Sequence, residues 1–128
     1  MFKSVFKDKK ILITGHTGFK GSWLSIWLSS LGANVFGLSV SEVSKPSNYL
    51  VSCISDIVED YKFDIRDHEK VNSIVKKIQP DFIFHLAAQS LVKLSYINPT
   101  ETYSTNAIGT INILNSLRNL EKKVIAII

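Results

Sequence analysis

The sequence KILITGHTGFKGSWL, residues 10–24, decides the fold of this 128-residue chain. Its apolar run Ile11-Leu12-Ile13 is typical of a parallel β-strand that is covered on both faces. Three glycines follow at positions 15, 18 and 21, and glycine accepts the positive φ angles that a tight turn requires. Because the glycines lack side chains, a phosphate can approach the backbone closely. A helix that begins at these glycines would point its unpaired N–H groups at that phosphate. The stretch therefore predicts a pyrophosphate-binding turn between a strand and a helix.

The glycine spacing is G-x-x-G-x-x-G, which differs from the G-x-G-x-x-G of the best-known dinucleotide-binding motif. A strand-to-helix turn without any ligand is the alternative interpretation of this spacing. The strand before the glycines, the helix after them and the further strand–helix units downstream favour the dinucleotide site.

Alternating strand and helix patterns continue to the end of the chain. We predict strands at about 10–14, 34–39, 60–63, 81–86 and 124–128, and helices at about 20–31, 67–78 and 98–120. In the first helix, Trp23 and Trp27 recur at helical spacing and are expected to lie in the core. This order of elements predicts an α/β fold, a Rossmann-type doubly wound parallel sheet with strand order 3-2-1-4-5. We expect residues 1–128 to form one dinucleotide-binding domain that stops within its fifth strand.

The composition excludes several classes of protein. Hydrophobic residues make up 45% of the chain and charged residues 20%, as in a folded globular domain. The net charge of +4, without interleaved aromatic residues, does not indicate nucleic-acid binding. The most apolar window, 23–40, is interrupted by polar residues, so we expect no contact with a membrane. The single cysteine, Cys53, favours a reducing, cytoplasmic location, and the scattered histidines have no metal-ligand spacing.

Three stretches of the chain, 14–21, 80–89 and 106–110, resemble the extended short-chain dehydrogenase/reductase family. The residues around the glycines, His16-Thr17 and Phe19–Leu24, are most similar to its sugar-nucleotide 4,6-dehydratases that act on CDP-glucose. The resemblance implies that the cofactor is NAD and that the glycine turn, two strand ends and the long helix form its site. The residues expected at this site are Gly15, Thr17, Gly18, Phe19, Lys20, Gly21, Asp64, Ile65, Leu86, Ala87, Ala88, Gln89 and Asn106.

The resemblance also implies the activity of the whole family member. Such a lyase passes hydride from C4 of CDP-glucose to NAD, eliminates water across C5 and C6, and returns hydride to C6 to give CDP-4-keto-6-deoxyglucose. It implies a homodimer, with the helix at 98–120 among the helices of the interface. The alternatives are another sugar-nucleotide dehydratase or 4-epimerase of this family, a non-catalytic binding module, and an inactive truncated product.

The family's catalytic Tyr-x-x-x-Lys sequence would follow the fifth strand. The four tyrosines of this chain, at positions 49, 61, 96 and 103, have no lysine four residues later. A tyrosine needs that lysine one helical turn away to lower its pKa for proton transfer. We therefore expect a portion that carries the cofactor site without catalytic residues and without the substrate domain.

The end of the second strand leaves the choice of cofactor open. A dinucleotide-binding fold usually has an acid there that binds the adenosine ribose. This sequence has Ser39 at that place, with Glu42 slightly late and Lys45 after it. A serine with a nearby lysine would also suit the 2′-phosphate of NADP, so NADP is an alternative to NAD.

Four polar residues have both a structural and a functional interpretation. Asp64 either caps the next helix or accepts a hydrogen bond from the adenine, whereas Asp67 is expected to be the cap. His85 is expected to be a core histidine. Asn106 lies within the long helix, where a buried amide must form hydrogen bonds, and this suggests a functional role.

Overall fold

The computed structural model describes residues 3–42 and 45–128. The strands are β1 (Lys10–Thr14), β2 (Asn34–Ser39), β3 (Glu59–Lys62), β4 (Phe82–His85) and β5 (Ile125–Ile127). The α-helices are α1 (Lys3–Phe6), α2 (Phe19–Ser30), α3 (Asn48–Val51), α4 (His68–Ile78), α5 (Val92–Ile97), α6 (Pro99–Tyr103) and α7 (Gly109–Arg118). A 3-10 turn lies at Ile54–Asp56 and a π-helical turn at Ser104–Ile108. The predicted strands and helices are all present, with bounds shifted by one or two residues.

The five strands form one parallel sheet in the order β3-β2-β1-β4-β5, which confirms the predicted topology. β1 is central, with Leu12 opposite Phe36 of β2 and opposite Ile83 of β4. β2 and β3 lie on one side of β1, and β4 and β5 lie on its other side, so the strand order reverses between β1 and β4. In open α/β sheets ligands bind in the crevice at the carboxyl ends of such strands, and the glycine turn follows directly after β1.

Hydrophobic side chains cover both faces of the sheet, because successive residues of a strand point to opposite sides. Leu12 of β1 joins one core with residues of α4 and α7, among them Val71 and Ile113. Its neighbours Ile11 and Ile13 join the other core, with residues of α2 and α3. β1 is therefore buried on both faces, as its continuous apolar run predicts.

The prediction that Trp23 and Trp27 lie in the core is wrong, since their exposed fractions are 53% and 50%. α2 instead turns its small residues, Gly21, Ser22 and Ser25, together with Leu28, toward the sheet. A Cβ atom on Gly21 would lie 2.7 Å from Cα of His16 and closer still to the carbonyl oxygen of Gly15. The helix can approach the glycine turn only with its small face, which places the tryptophans on the opposite side.

Helices α6 and α7, joined by the π turn, form one continuous long helix over residues 99–118. It begins as predicted, because the side chain of Asn98 accepts a hydrogen bond from the Glu101 N–H at 3.1 Å and Pro99 is the first helical residue. Its apolar stripe is exposed, with exposed fractions of 70% for Tyr103 and 48% for Ile111. None of the helices within the described ranges is long and apolar enough to cross a membrane.

Candidate dinucleotide-binding site

The glycine turn brings the end of β1 against the segment that follows β4. Gly15 has φ +75°, and a Cβ atom there would lie 2.7 Å from the backbone nitrogen of Ala87. The Gly15 N–H donates to the Leu38 carbonyl at 2.7 Å, and its carbonyl accepts from the Gly18 N–H at 3.0 Å. Only glycine fits here, because the backbone conformation and the close neighbour both exclude a side chain.

Gly18 differs from Gly15 because its missing side chain leaves open space. A Cβ atom on Gly18 would meet only the Gly15 carbonyl oxygen, at 3.2 Å, and its φ of −72° is accessible to any residue. Gly18 is the N-cap of α2 and has no side chain to accept from the first amides of the helix, and the first turn contains no acidic residue. Those amides have no partner within the helix, so they are available to an anion. Phe19 and Lys20 are exposed in this first turn.

The segment after β4 forms the second wall of the crevice. Leu86 and Ala88 are exposed there, and Ala87 and Gln89 are partly buried. The side chain of Asn106 accepts from the Gln89 N–H at 2.8 Å and donates to the Gln89 carbonyl at 3.0 Å. Asn106 is exposed, so the expectation that it is buried is wrong. Its two hydrogen bonds nevertheless fix the backbone of this wall to the π turn.

Asp64 and Ile65 follow β3 and form the third part of the site. The Asp64 carboxylate accepts from the Arg66 N–H at 2.8 Å and from the Arg66 guanidinium at 2.6 Å. These hydrogen bonds hold the pKa of Asp64 below its ordinary value. Ile65 is buried against Gly109 of the long helix. Asp67 is the N-cap of α4, as predicted, and accepts from the Lys70 N–H at 3.1 Å.

The end of β2 contacts the glycine turn through Thr17. The Thr17 hydroxyl donates to the Ser41 carbonyl at 2.8 Å, and its N–H donates to the Ser39 hydroxyl at 3.4 Å. Glu42 lies 3.5 Å from the ammonium group of Lys62 on β3. Glu42, the first acid after β2, is therefore paired with a lysine.

His16, the residue after Gly15, is fully buried in a polar cluster. Its Nε2 atom lies 3.0 Å from Asp60, and its ring packs edge-on against Tyr49 at 5.4 Å. The Tyr49 hydroxyl donates to the other oxygen of Asp60 at 2.6 Å. Burial lowers the pKa of His16, although Asp60 acts in the opposite direction. The cluster ties the glycine turn to β3 and α3.

Asn112 is a buried polar residue beside the candidate site that the sequence pattern did not indicate. It is 7% exposed, and its amide donates to the carbonyls of Ile65 and Arg66, both at 3.0 Å. The long helix thus holds two walls of the site, one through Asn106 and the other through Asn112. The sequence could have indicated Asn112 in one way, because it is a polar residue on the same helix face as Gly109 and Ile113, which are buried.

No group of three or more histidine, cysteine, aspartate or glutamate side chains in the described part of the chain is arranged to hold a metal ion. The model of the GDP-mannose 4,6 dehydratase family matches residues 12–127. The chain belongs to this family. The match runs from within β1 to the end of β5 and includes every candidate site residue.

Curated proteins similar to this chain include two sugar-nucleotide dehydratases. A CDP-glucose 4,6-dehydratase of Salmonella typhimurium is 43% identical over 118 residues, which are 92% of this chain and 33% of that protein. A GDP-mannose 4,6-dehydratase of Yersinia enterocolitica is 35% identical over 86% of this chain and 31% of that protein. The chain therefore spans about a third of the length of these relatives.

Solved structures agree with this family fold. An epimerase of Methanothermobacter thermautotrophicus has a TM-score of 0.80 and 30% identity over 93% of this chain and 34% of its own. A UDP-glucose 4-epimerase of Thermus thermophilus, solved in complex with NAD, has a TM-score of 0.73 and 30% identity over 85% of this chain and 33% of its own.

Proposed function

We propose that this chain is the NAD-binding portion of a sugar-nucleotide 4,6-dehydratase that acts on CDP-glucose. One observation carries the cofactor assignment: α2 begins at Gly18 without a side-chain cap for its first amides, and the missing Gly18 side chain leaves open space at this helix start. A pyrophosphate fits this seat, because backbone N–H groups and the helix dipole both favour an anion. The NAD complex of the Thermus thermophilus relative supports the assignment.

Each wall of the site has a proposed role toward the cofactor. Gly15, Gly18 and Gly21 shape the pyrophosphate seat, which Thr17, Phe19 and Lys20 border. The Asp64 and Ile65 positions flank the adenine, and the segment Leu86–Gln89 lies beside the ribose and the pyrophosphate. Asn106 holds that segment in place. When bound, the nicotinamide would supply the acceptor and the donor of hydride for the sugar.

The charges near the end of β2 support NAD rather than NADP. Lys62, on the neighbouring strand, is paired with Glu42 at 3.5 Å. The Glu42 carboxylate neutralises this lysine and repels a 2′-phosphate, whereas the charge of Lys45, which also acts on Glu42, has the opposite effect. Calorimetric titration of the chain with NAD and with NADP tests this choice, and we expect the tighter binding with NAD. Tighter binding of NADP would refute it and would implicate Ser39 or Lys45.

The substrate assignment rests on the 43% identity with the CDP-glucose 4,6-dehydratase of Salmonella typhimurium. A 4-epimerase activity is the second candidate, because UDP-glucose 4-epimerases are among the structural neighbours. Mass spectrometry of the product distinguishes the two, since a dehydratase removes one water from the sugar nucleotide and an epimerase leaves its mass unchanged. The assay uses the protein encoded by the complete gene, with CDP-glucose and UDP-glucose as the offered substrates.

The gene sequence beyond the codon for Ile128 is the first test of catalytic competence. We expect a segment with Ser or Thr, Asp and Lys, followed by Tyr-x-x-x-Lys on the next helix. A stop codon directly after Ile128 would refute the dehydratase assignment for this polypeptide. The proposal would then reduce to a dinucleotide-binding module.

The exposed stripe of the long helix supports a homodimer as the working form. Tyr103, Ile108, Ile111 and Leu114 are 43–70% exposed on this helix, and contiguous exposed apolar surface often marks a protein interface. We also propose a cytoplasmic location, which the exposed free thiol of Cys53 supports.

A further inference from the structure

His85 lies between two threonine hydroxyls at the carboxyl end of β4. Its ring nitrogen Nδ1 is 2.6 Å from the Thr14 hydroxyl on β1, and Nε2 is 2.9 Å from the Thr110 hydroxyl on α7. The residue is 7% exposed, in agreement with its expected place in the core. Its ring thus connects the strand before the glycine turn with the long helix.

The neighbouring hydrogen bonds determine which ring nitrogen carries the proton. The Thr110 hydroxyl donates to the Asn106 carbonyl at 2.7 Å, so it can only accept from Nε2 of His85. A neutral ring with its proton on Nε2 has an unprotonated Nδ1, which accepts from the Thr14 hydroxyl. The Thr14 oxygen in turn accepts from the Ala87 N–H at 3.2 Å. All the protons in this series therefore point in one direction.

The series begins and ends on the same wall of the site. It starts at the Ala87 N–H and passes through Thr14, His85 and Thr110 to Asn106, whose side chain binds both backbone groups of Gln89. The wall at 86–89 is thus fastened at two points, and His85 is the link between them. Proton uptake by His85 would place a donor on Nδ1 against Thr14, whose hydroxyl proton would then lose its acceptor.

We propose that His85 is a positioning residue for the dinucleotide, and that its neutral Nε2–H form holds the wall at 86–89 in the geometry that binds the cofactor. This inference rests on the proposed NAD site. Proton uptake by the ring weakens cofactor binding, because the Thr14 hydroxyl proton then loses its acceptor and must turn away from the ring, which moves the oxygen that accepts from the Ala87 N–H.

The surroundings of His85 favour the neutral form. Its hydrogen-bond partners on β1 and α7 are hydroxyl groups, and in the described ranges no carboxylate or ammonium group forms a hydrogen bond or an ion pair with the ring. Burial alone lowers the pKa of His85. The glycine turn also contains a buried histidine, His16, which lies beside Asp60. A test must therefore separate the two histidines.

The first experiment is an NMR titration of the wild-type chain with 15N-labelled histidine, without and with saturating NADH. We expect His85 to have a protonated Nε2 and an unprotonated Nδ1, and its pKa to fall when NADH is bound. The opposite tautomer, or a pKa of His85 that NADH leaves unchanged, would overturn the inference. This experiment needs no variant, so it does not depend on whether a substituted chain folds.

The second experiment measures the Kd of NADH against pH for wild type and for His85→Gln. Binding to the wild type should weaken by up to ~10-fold per pH unit below the pKa of the ring. Gln takes up no proton, so H85Q should bind more weakly at pH 8 and lose this part of the pH dependence. A slope that both proteins share belongs to groups other than His85.

The outcomes separate this inference from the proposed function. If the wild type binds NADH but H85Q has the same Kd and the same pH profile, only the role of His85 is refuted. If the folded wild type binds no NADH at any pH, the cofactor site of the proposed function is refuted, and the role of His85 with it.

Discussion

Replacing Gly18 by alanine should weaken cofactor binding while leaving the free energy of unfolding almost unchanged. The new Cβ atom would meet only the Gly15 carbonyl oxygen, at 3.2 Å, and the φ of −72° suits alanine. Gly-to-Ala changes at compatible positions stabilise by about 0.4–1 kcal/mol, and the tight contact offsets part of this. The free energy of unfolding should therefore change by less than about 1 kcal/mol. The methyl group would, however, occupy the open space that we assign to the pyrophosphate.

The expected loss of affinity follows from one displaced phosphate contact. A hydrogen bond to a charged group contributes about 1.5–3 kcal/mol, which corresponds to a Kd increased about 10- to 150-fold. Calorimetry with NADH measures the Kd, and urea unfolding, followed by the fluorescence of Trp23 and Trp27, measures stability.

The matched control is Gly21→Ala, whose Cβ atom would lie 2.7 Å from Cα of His16 and even closer to the Gly15 carbonyl oxygen. The backbone atoms there cannot move aside, so the free energy of unfolding of this variant should fall by about 1–3 kcal/mol. The variant should also lose affinity for NADH. A folded Gly18→Ala chain with wild-type affinity for NADH would refute the pyrophosphate seat.

Three further predictions concern stability and assembly. Burial lowers the pKa of His16 and of His85, so below about pH 6.5 the unfolded chain binds more protons than the folded chain. The free energy of unfolding should then fall as the pH decreases from about 6.5 toward the pKa values of the folded chain, by up to about 1.4 kcal/mol per pH unit for each histidine. Urea unfolding between pH 7.5 and 5 measures this, and a free energy of unfolding that does not change with pH would contradict the prediction. Asn112→Ala leaves two carbonyls without their donor and should lower the free energy of unfolding by about 2–4 kcal/mol, whereas the control Asn115→Ala on the same helix should change it by less than about 0.5 kcal/mol. Ile111→Lys places a charge on the exposed stripe and should shift the chain toward monomer in analytical ultracentrifugation; an unchanged sedimentation profile of a self-associating wild type would count against that interface.

The strands and the glycine turn were predictable because their signals are local. The buried run Ile11–Ile13, the glycines and the Asn98-Pro99 helix start each fix the backbone of their own neighbourhood. The strand order follows from the alternation of strands and helices, since parallel neighbours require right-handed crossovers. These features need no knowledge of which distant residues meet.

The errors concern contacts between distant segments. Hydrophobicity alone assigns Trp23 and Trp27 to the core, but the close approach of Gly21 to the glycine turn decides which face of α2 is buried. Asn112 is bonded to backbone 46 and 47 residues away. Tyr49 meets Asp60 and His16 only because β2 and β3 are adjacent. Such pairs leave no periodic pattern in the sequence.

The π turn at Ser104–Ile108 lets the long helix absorb a change of one residue in its length. A turn with i→i+5 hydrogen bonds accommodates one residue more than a regular α-helical turn. Deleting one residue there would therefore restore a regular α-helical turn and leave Gly109 and Asn112 facing Ile65. The same deletion within α7 would rotate everything beyond it by about 100°, so single-residue deletions should be tolerated better in the π turn than in α7. When the chain is aligned with a relative whose helix is regular, the gap belongs inside residues 104–108 and not at either end of the helix.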